Sequence, residues 1–487
     1  MFCKRPTIIK NEFISSLVAT CGIFMGISFI LVMGNFSVYL TSYIHEKQDF
    51  VTMYYGLFIN LISAFAMTAG MSIGGFLELK LGLILTTLSG LVIILIGNIF
   101  FLNVQNIWLC YVLTFVVHVG AGIANSLNGK NLALYKPEKK GMLVSGIFAL
   151  AVLFAGPLAL MGEKIINPDG YTLQGDEEYY SYKYSSRTYL YFTIGFFTIP
   201  LGAIIFLLFI VVYKPPKKSN ELNDIYQNIS NEKENEEDKE NNNKNEEGEI
   251  INEELKSMSN KKKIKKVIKT FRFWRLSIAQ LLISFSFSFI LGTGRTFGAI
   301  IGIEGGALQF LMLLQSLALL IIGPLVGFLV DKKGPLNLLR AAALICVIPG
   351  VLLTFFTTNT FFFIFSFLLG IIGMVSMVVC FSPFIMEVYG IQESVILGGI
   401  MNVFSKLSEI INTVSGFVIS LYYTKDEIIR PYQAMYIIGS ICCLVSFVMF
   451  LFEKMDKFNY EIEEESLDTL VENARYTEAN WDINLVI

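Results

Sequence analysis

Apolar runs of about twenty residues or more recur along most of the chain, and that repetition limits the fold more than any other feature. A bilayer core offers the backbone no water. A run of this length is therefore stable there only as a helix that satisfies its own N–H and C=O groups. Six runs precede a central polar segment, at about 13–40, 53–77, 82–102, 107–128, 141–160 and 188–213. Six follow it, at about 272–296, 306–330, 336–356, 360–386, 394–421 and 432–453. Charged residues make up 16% of the 487, against about a quarter in soluble proteins. The chain reads as an all-α polytopic membrane protein with twelve transmembrane helices.

The break between the two sets of runs is as informative as the runs. Residues 214–270 contain Asn231–Glu254, almost wholly Asn, Glu, Lys and Asp, and then the basic run Lys261–Lys266. Too little apolar surface is available there to offset chain entropy, so this segment is expected to be a disordered linker. Its basic run either lies on the anionic inner leaflet or fixes topology. The expected domains are a six-helix bundle at 1–213, the linker at 214–270, a second six-helix bundle at 271–453 and an acidic tail at 454–487. Because the first run is long and lacks a small-residue cleavage site, it is read as a retained helix.

Orientation follows from the loop cations. Lys4, Arg5, Lys10, Lys130, Lys136, Lys139, Lys140, Lys332, Lys333 and Arg340 share one side, and the opposite loops carry little excess positive charge. Both termini and the linker are thus expected in the cytoplasm, at the plasma membrane or an organelle membrane.

The halves share a signal. After the second run stand Gly74, Glu78, Lys80 and Gly82; after the eighth stand Gly327, Asp331, Lys332 and Gly334. Each copy has Gly, an acid four residues on, a cation within two more and a closing Gly, which suits a tight turn with an acid near a helix N-terminus. The repetition resembles the cytoplasmic loop motif of the major facilitator superfamily, in two pseudo-symmetric six-helix bundles. The first copy has one extra residue and Glu for the usual Asp.

Three shorter stretches are similar to the oxalate/formate-antiporter and monocarboxylate-transporter branch. They are Gly34–Tyr43, Tyr135–Gly141 with Ser145-Gly146, and Gly398-Gly399 with Lys406. The charged pair that monocarboxylate transporters carry in span eight would fall near Leu319 and Gly323, neither of which is ionisable.

Charge inside the hydrocarbon costs about 2.5–3.5 kcal/mol per residue on insertion scales, so each intramembrane ion needs a reason. Lys406 and Glu409 lie three apart on one helix face and form either a carboxylate-binding site or a self-neutralising structural pair. His118, at the centre of span four, is either a proton carrier or a packing residue. Asn125 continues its helix, and Arg295 either draws anions into an outer vestibule or snorkels to headgroups. Asn35, Tyr39 and Asn402 complete the candidate binding set. Ser284, Ser286 and Ser288 recur every second residue, so at most two face a cavity. Gly156-Pro157 and Gly323-Pro324, at similar places in the two halves, are read as close-packed contacts rather than hinges.

With two histidines, no metal-ligand cluster is expected. No nucleotide-binding loop, hydrolase motif or nucleic-acid surface is present in the sequence, and no cofactor is called for. The resemblance implies a secondary-active carrier of a small organic anion, a monocarboxylate above all, moved with a proton or in exchange by a monomer in the lipid bilayer. The alternatives are a carrier of another small solute, such as an amino acid or vitamin, and a transporter-like sensor that does not turn over. An enzyme is disfavoured.

Overall fold

The computed structural model describes residues 11–169, 179–212 and 263–455, apart from 32, 52–53, 127, 302–304, 357–358, 392, 423–426 and 428. Most of the linker and nearly all of the tail fall outside the described residues.

Among the described residues are twelve long helices, numbered in chain order. The first half holds α1 (Glu12–Leu31), α2 (54–81), α3 (83–101), α4 (Ile107–Ser126), α5 (Lys140–Ile166) and α6 (Thr188–Phe209). The second holds α7 (Phe271–Ile300), α8 (Gly305–Lys333), α9 (Pro335–Phe355), α10 (Thr360–Tyr389), α11 (Ser394–Tyr422) and α12 (Ile429–Leu451). They pair one for one with the expected spans. Short helices extend α1 through Ser37–His45 and α4 through Asn128–Tyr135.

Helices α2 and α3 form one run, Tyr54–Phe101, broken only at Gly82 with φ 72°. Gly334, at φ 80°, plays the same part between α8 and α9. A left-handed backbone costs glycine nothing and costs other residues about 1–2 kcal/mol, so the chain reverses at the closing glycine of each loop copy.

Ten segments among the described residues are long and apolar enough to cross a membrane, and Phe58–Phe101 among them holds both α2 and α3. Large apolar side chains face outward along these helices, such as Phe197 at 76% exposure and Leu160 at 71%. Such a surface belongs against lipid, and the protein is an integral, multi-pass membrane protein.

Each half has its own core, one around Phe24, Phe29 and Tyr191, the other around Phe273, Phe289 and Tyr436. Lipid tails are as apolar as leucine, so helices here associate through close approach. Helix α4 shows this best. Gly122 abuts the Met67 carbonyl of α2, and Gly90 of α3 lies where a Cβ would come 2.6 Å from the Gly120 carbonyl. No side chain fits at either place.

Two expectations need correction. Residues 263–268 are helical, and Ile264 and Val267 are buried in the second core, so the ordered bundle begins before residue 271. Ile264, Val267 and Ile268 are spaced three and four apart among lysines, and that helical period outweighs the charge count. Gly156 and Gly323 are not close-packed contacts. A Cβ on Gly156 would meet nothing within 4 Å, and one on Gly323 would meet only the Ser145 carbonyl at 3.9 Å. The tight α5–α8 contact is lower, at Gly141 and Gly327.

Candidate functional site: a cavity between two bundles

The halves touch at the helix ends that carry the loop motifs, here called the motif end. A Cβ on Gly141 of α5 would lie 2.7 Å from the Gly327 carbonyl of α8. Asp331 at the end of α8 reaches across the halves, accepting the Gly141 and Met142 amides at 2.8 and 3.0 Å. Helix α5 has no side-chain cap of its own, so a carboxylate from the other half satisfies its orphan donors and meets its positive dipole end. Lys140 of α5 and Glu387 of α10 form a second link at 2.6 Å. On the other flank, Gly75 of α2 faces Ile396 of α11, and Gly399 faces Ser72.

Glu78, the acid of the first copy, behaves differently. It pairs at 2.8 Å with Lys130 of its own half, whose side chain is 6% exposed. Among the other motif residues, Lys332 lies 4.5 Å over the Phe328 ring, Lys80 is exposed and Gly74 is buried.

Between the halves, bounded by these contacts, lies a cavity of about 420 Å³. Much of its wall is apolar, from Met67, Met71, Phe287, Met374, Met377 and Phe381. Its polar groups come from both sides: Thr68, Asn125 and Lys130 from the first half, Gln280, Asn402, Ser405, Lys406 and Glu409 from the second. Lys406 donates to Glu409, and each side chain keeps 30% exposure. The Lys130–Glu78 pair is less exposed, at 6% and 16%.

A hydrogen-bonded seam joins α7 to α11 beneath the Lys406–Glu409 pair. Gln280 donates to Asn402 at 2.6 Å, Ser284 and Ser405 lie 2.9 Å apart, and Asn412 donates to Ser288 at 2.8 Å. The Gln280 carbonyl oxygen is buried with no protein partner. Of the alternating serines, Ser284 and Ser288 face the seam, whereas Ser286 packs on Gly439 of α12.

The structure thus gathers Lys406, Glu409, Asn125 and Asn402 around one cavity. It places His118 and Tyr39 elsewhere. His118 is buried inside the first bundle, its Nδ1 donating to the Thr114 carbonyl at 2.8 Å, with a further hydrogen bond to the Ile30 main chain of α1. Tyr39 donates to Glu163 at 2.7 Å and accepts from Asn167 at 3.1 Å, at the end opposite the motifs. Asn35 and Arg295 have helical backbones, and their side chains lie outside the described residues. Thr68, Gln280, Ser405 and Lys130 are polar cavity residues that sequence reasoning did not place at the site. A four-residue spacing of Gln280, Ser284 and Ser288, read as one helix face, would have found the first two partners of the seam.

A family model described as Major Facilitator Superfamily matches residues 179–413. No curated protein sequence matches the chain. Among solved structures, a proton:xylose symporter of that superfamily bound to a bromodeoxyglucose is 14% identical. Its TM-score is 0.60, over 91% of this chain and 95% of that one. The E. coli fucose:proton symporter is 15% identical, with a TM-score of 0.63 over 92% of this chain and all (100%) of that one. A human organic anion transporter is 13% identical, with a TM-score of 0.61 over 91% and 100%. Twelve paired helices, two bundles and glycine-closed loops in both halves agree with these likenesses: the chain has the all-α major facilitator fold.

Proposed function

We propose that this protein is a secondary-active carrier of the major facilitator superfamily that moves a small organic anion, with a monocarboxylate as the simplest case, together with a proton. One observation carries the reading: an ion pair, Lys406–Glu409, stands partly exposed on the wall of a cavity between the two bundles. The loop cations assign the motif end to the cytoplasm. In this reading Asp331, Lys140–Glu387 and the glycine contacts hold the halves together on the cytoplasmic side.

The pair suggests how proton and anion load together. With Glu409 ionised, Lys406 is neutralised in place. Protonation of Glu409 frees the ammonium, and a solute carboxylate takes the vacated position. One proton and one anion enter, and the net charge of the cavity is unchanged, which spares the half-open site an uncompensated ion. Asn125, Gln280 and Asn402 would orient the rest of the solute, and the methionine and phenylalanine wall suits a short apolar chain. Closure then passes from one end to the other as the halves rock.

A second reading rests on the amides. Asn125, Gln280 and Asn402, with the unpartnered Gln280 oxygen, suit hydroxyl groups, and two of the similar structures are sugar–proton symporters. Uptake into proteoliposomes separates the readings: labelled monocarboxylates, sugars and amino acids are tested with and without an inward proton gradient. Uptake of acids, stimulated by the gradient, supports the first reading. Uptake of sugars alone overturns it, and saturable binding with no uptake of any solute points to a sensor. Lys406→Gln/Glu409→Gln decides the role of the pair. Acid uptake is expected to stay lost although the protein is inserted normally, and recovery of uptake would show that the pair is structural.

A further inference from the structure

A second cavity, of about 1010 Å³, opens at the motif end beside the α5–α8 contact. Cations outnumber acids in its wall. Lys140, Lys263, Lys333, Arg340 and Lys454 line it, against Glu387, Glu393 and Glu453. Two of these acids are already held, Glu387 by Lys140 at 2.6 Å and Glu453 by both Arg272 and Arg275. Lys333 and Lys454 are exposed and form no ion pair among the described residues.

The wall also presents the first turn of α9, which has no side-chain cap; the Gly334 amide is taken by the Val330 carbonyl and Pro335 has none, so the Leu336 and Asn337 amides are the donors it offers. The Asn337 side chain is turned back to the Lys333 carbonyl, at 3.0 Å. Orphan amides at a helix N-terminus beside a surplus of ammonium groups favour an anion.

We propose that this cavity binds a polyphosphorylated ring, the chemistry shared by a soluble inositol polyphosphate and a phosphoinositide headgroup. The cations are spread around a volume far larger than one phosphate, so several phosphate groups are needed to meet them at once. The aromatic ring in the wall, Tyr389, is fully buried, which leaves nothing there for a nucleobase to stack on.

The ligand would also act on conformation. Lys140 belongs to the first half, while Lys263, Lys333 and Lys454 belong to the second. If the halves part at this end, as the proposed carrier cycle requires, Lys140 leaves the site. A ligand that contacts both halves must then favour the closed state by its differential affinity.

Calorimetric titration of the purified full-length protein with inositol hexakisphosphate tests the site directly, whatever the transported solute. Saturable binding is expected, weakened about tenfold by Lys333→Gln/Lys454→Gln through loss of charge-assisted contacts. Lys333→Arg/Lys454→Arg, and Lys47→Gln at the opposite end, should retain it. Nanodiscs containing phosphatidylinositol bisphosphate identify the source: competition with the hexakisphosphate assigns the site to the lipid, and its absence assigns it to the soluble ligand. For conformation, a cysteine placed at Ser394 on the wall of the central cavity should react more slowly from the cytoplasmic side once hexakisphosphate is bound. Equal affinity in the glutamine variant, or no saturable binding, overturns the proposal. So does binding that emerges only when Glu463, Glu464 and Glu465 are changed to glutamine, because the acidic tail would then be the natural occupant.

Discussion

The two copies of the loop motif look alike in sequence and do different work. Asp331 crosses from one half to the other and caps α5, while Glu78 stays within its own half and neutralises a buried Lys130. The first copy has one more residue between acid and closing glycine and a longer acidic side chain. Glu78 meets Lys130 on the extension of α4. The lesson is that a repeated motif marks equivalent positions, whereas the partner of each acid is decided by reach. One copy therefore ties the two halves together, and the other ties two helices of one bundle.

The most severe break of this contrast is Glu78→Gln. It leaves Lys130 buried without its counter-ion, and removing one partner of a buried pair costs about 3–5 kcal/mol. The melting temperature should fall, and Glu78→Gln/Lys130→Gln should recover most of it. If the single variant melts like the parent, the pair is not structural.

Asp331→Asn should leave the melting temperature nearly unchanged and shift the closed–open balance at the motif end. The lost charge-assisted bonds are worth about 1.5–3 kcal/mol, at least about tenfold in that equilibrium. Faster labelling of cysteines at that end and slower exchange are the expected readouts. Unchanged accessibility on both faces would remove Asp331 from gating.

Lys140→Gln/Glu387→Gln removes the second link between the halves and should shift the same balance in the same direction. The effect is smaller, because the pair is partly exposed and such pairs contribute about 1 kcal/mol or less. The smallest effect belongs to the opposite end. Lys183 donates to Asp169 at 2.8 Å and holds its carboxyl below the usual range, yet both groups are in open water. Asp169→Asn should change neither melting nor uptake measurably, and a clear loss of uptake would mean that the far loop takes part in the cycle.

Most of the architecture was legible, because length and apolarity suffice for a helix in lipid. The closing glycines were legible too, since Gly82 and Gly334 sit where only a left-handed turn fits. Lys406 and Glu409 could be paired from helical spacing alone. Other features depend on which helices become neighbours, and spacing within one helix cannot say that. His118 sits at the right depth for a site but is turned toward Ile30 in its own bundle. Glu453 reads as the threshold of an acidic tail, yet it is 2% exposed between two arginines that begin α7. Lys130 reads as one more loop cation until Glu78 is seen beside it.

The glycine contacts at the motif end have a consequence for speed. Side chains that interlock across an interface must leave their rotamers before the surfaces separate, and each such rearrangement raises the barrier to parting. Gly141 meets the Gly327 carbonyl and the short Val330 side chain, and Gly399 meets Ser72, so no long side chain has to disengage at either place. The hold on the closed state is concentrated instead in a few polar bonds, which water can replace one by one as the gap widens. Such a seam can be well populated when shut and still open quickly, as the proposed carrier cycle would require.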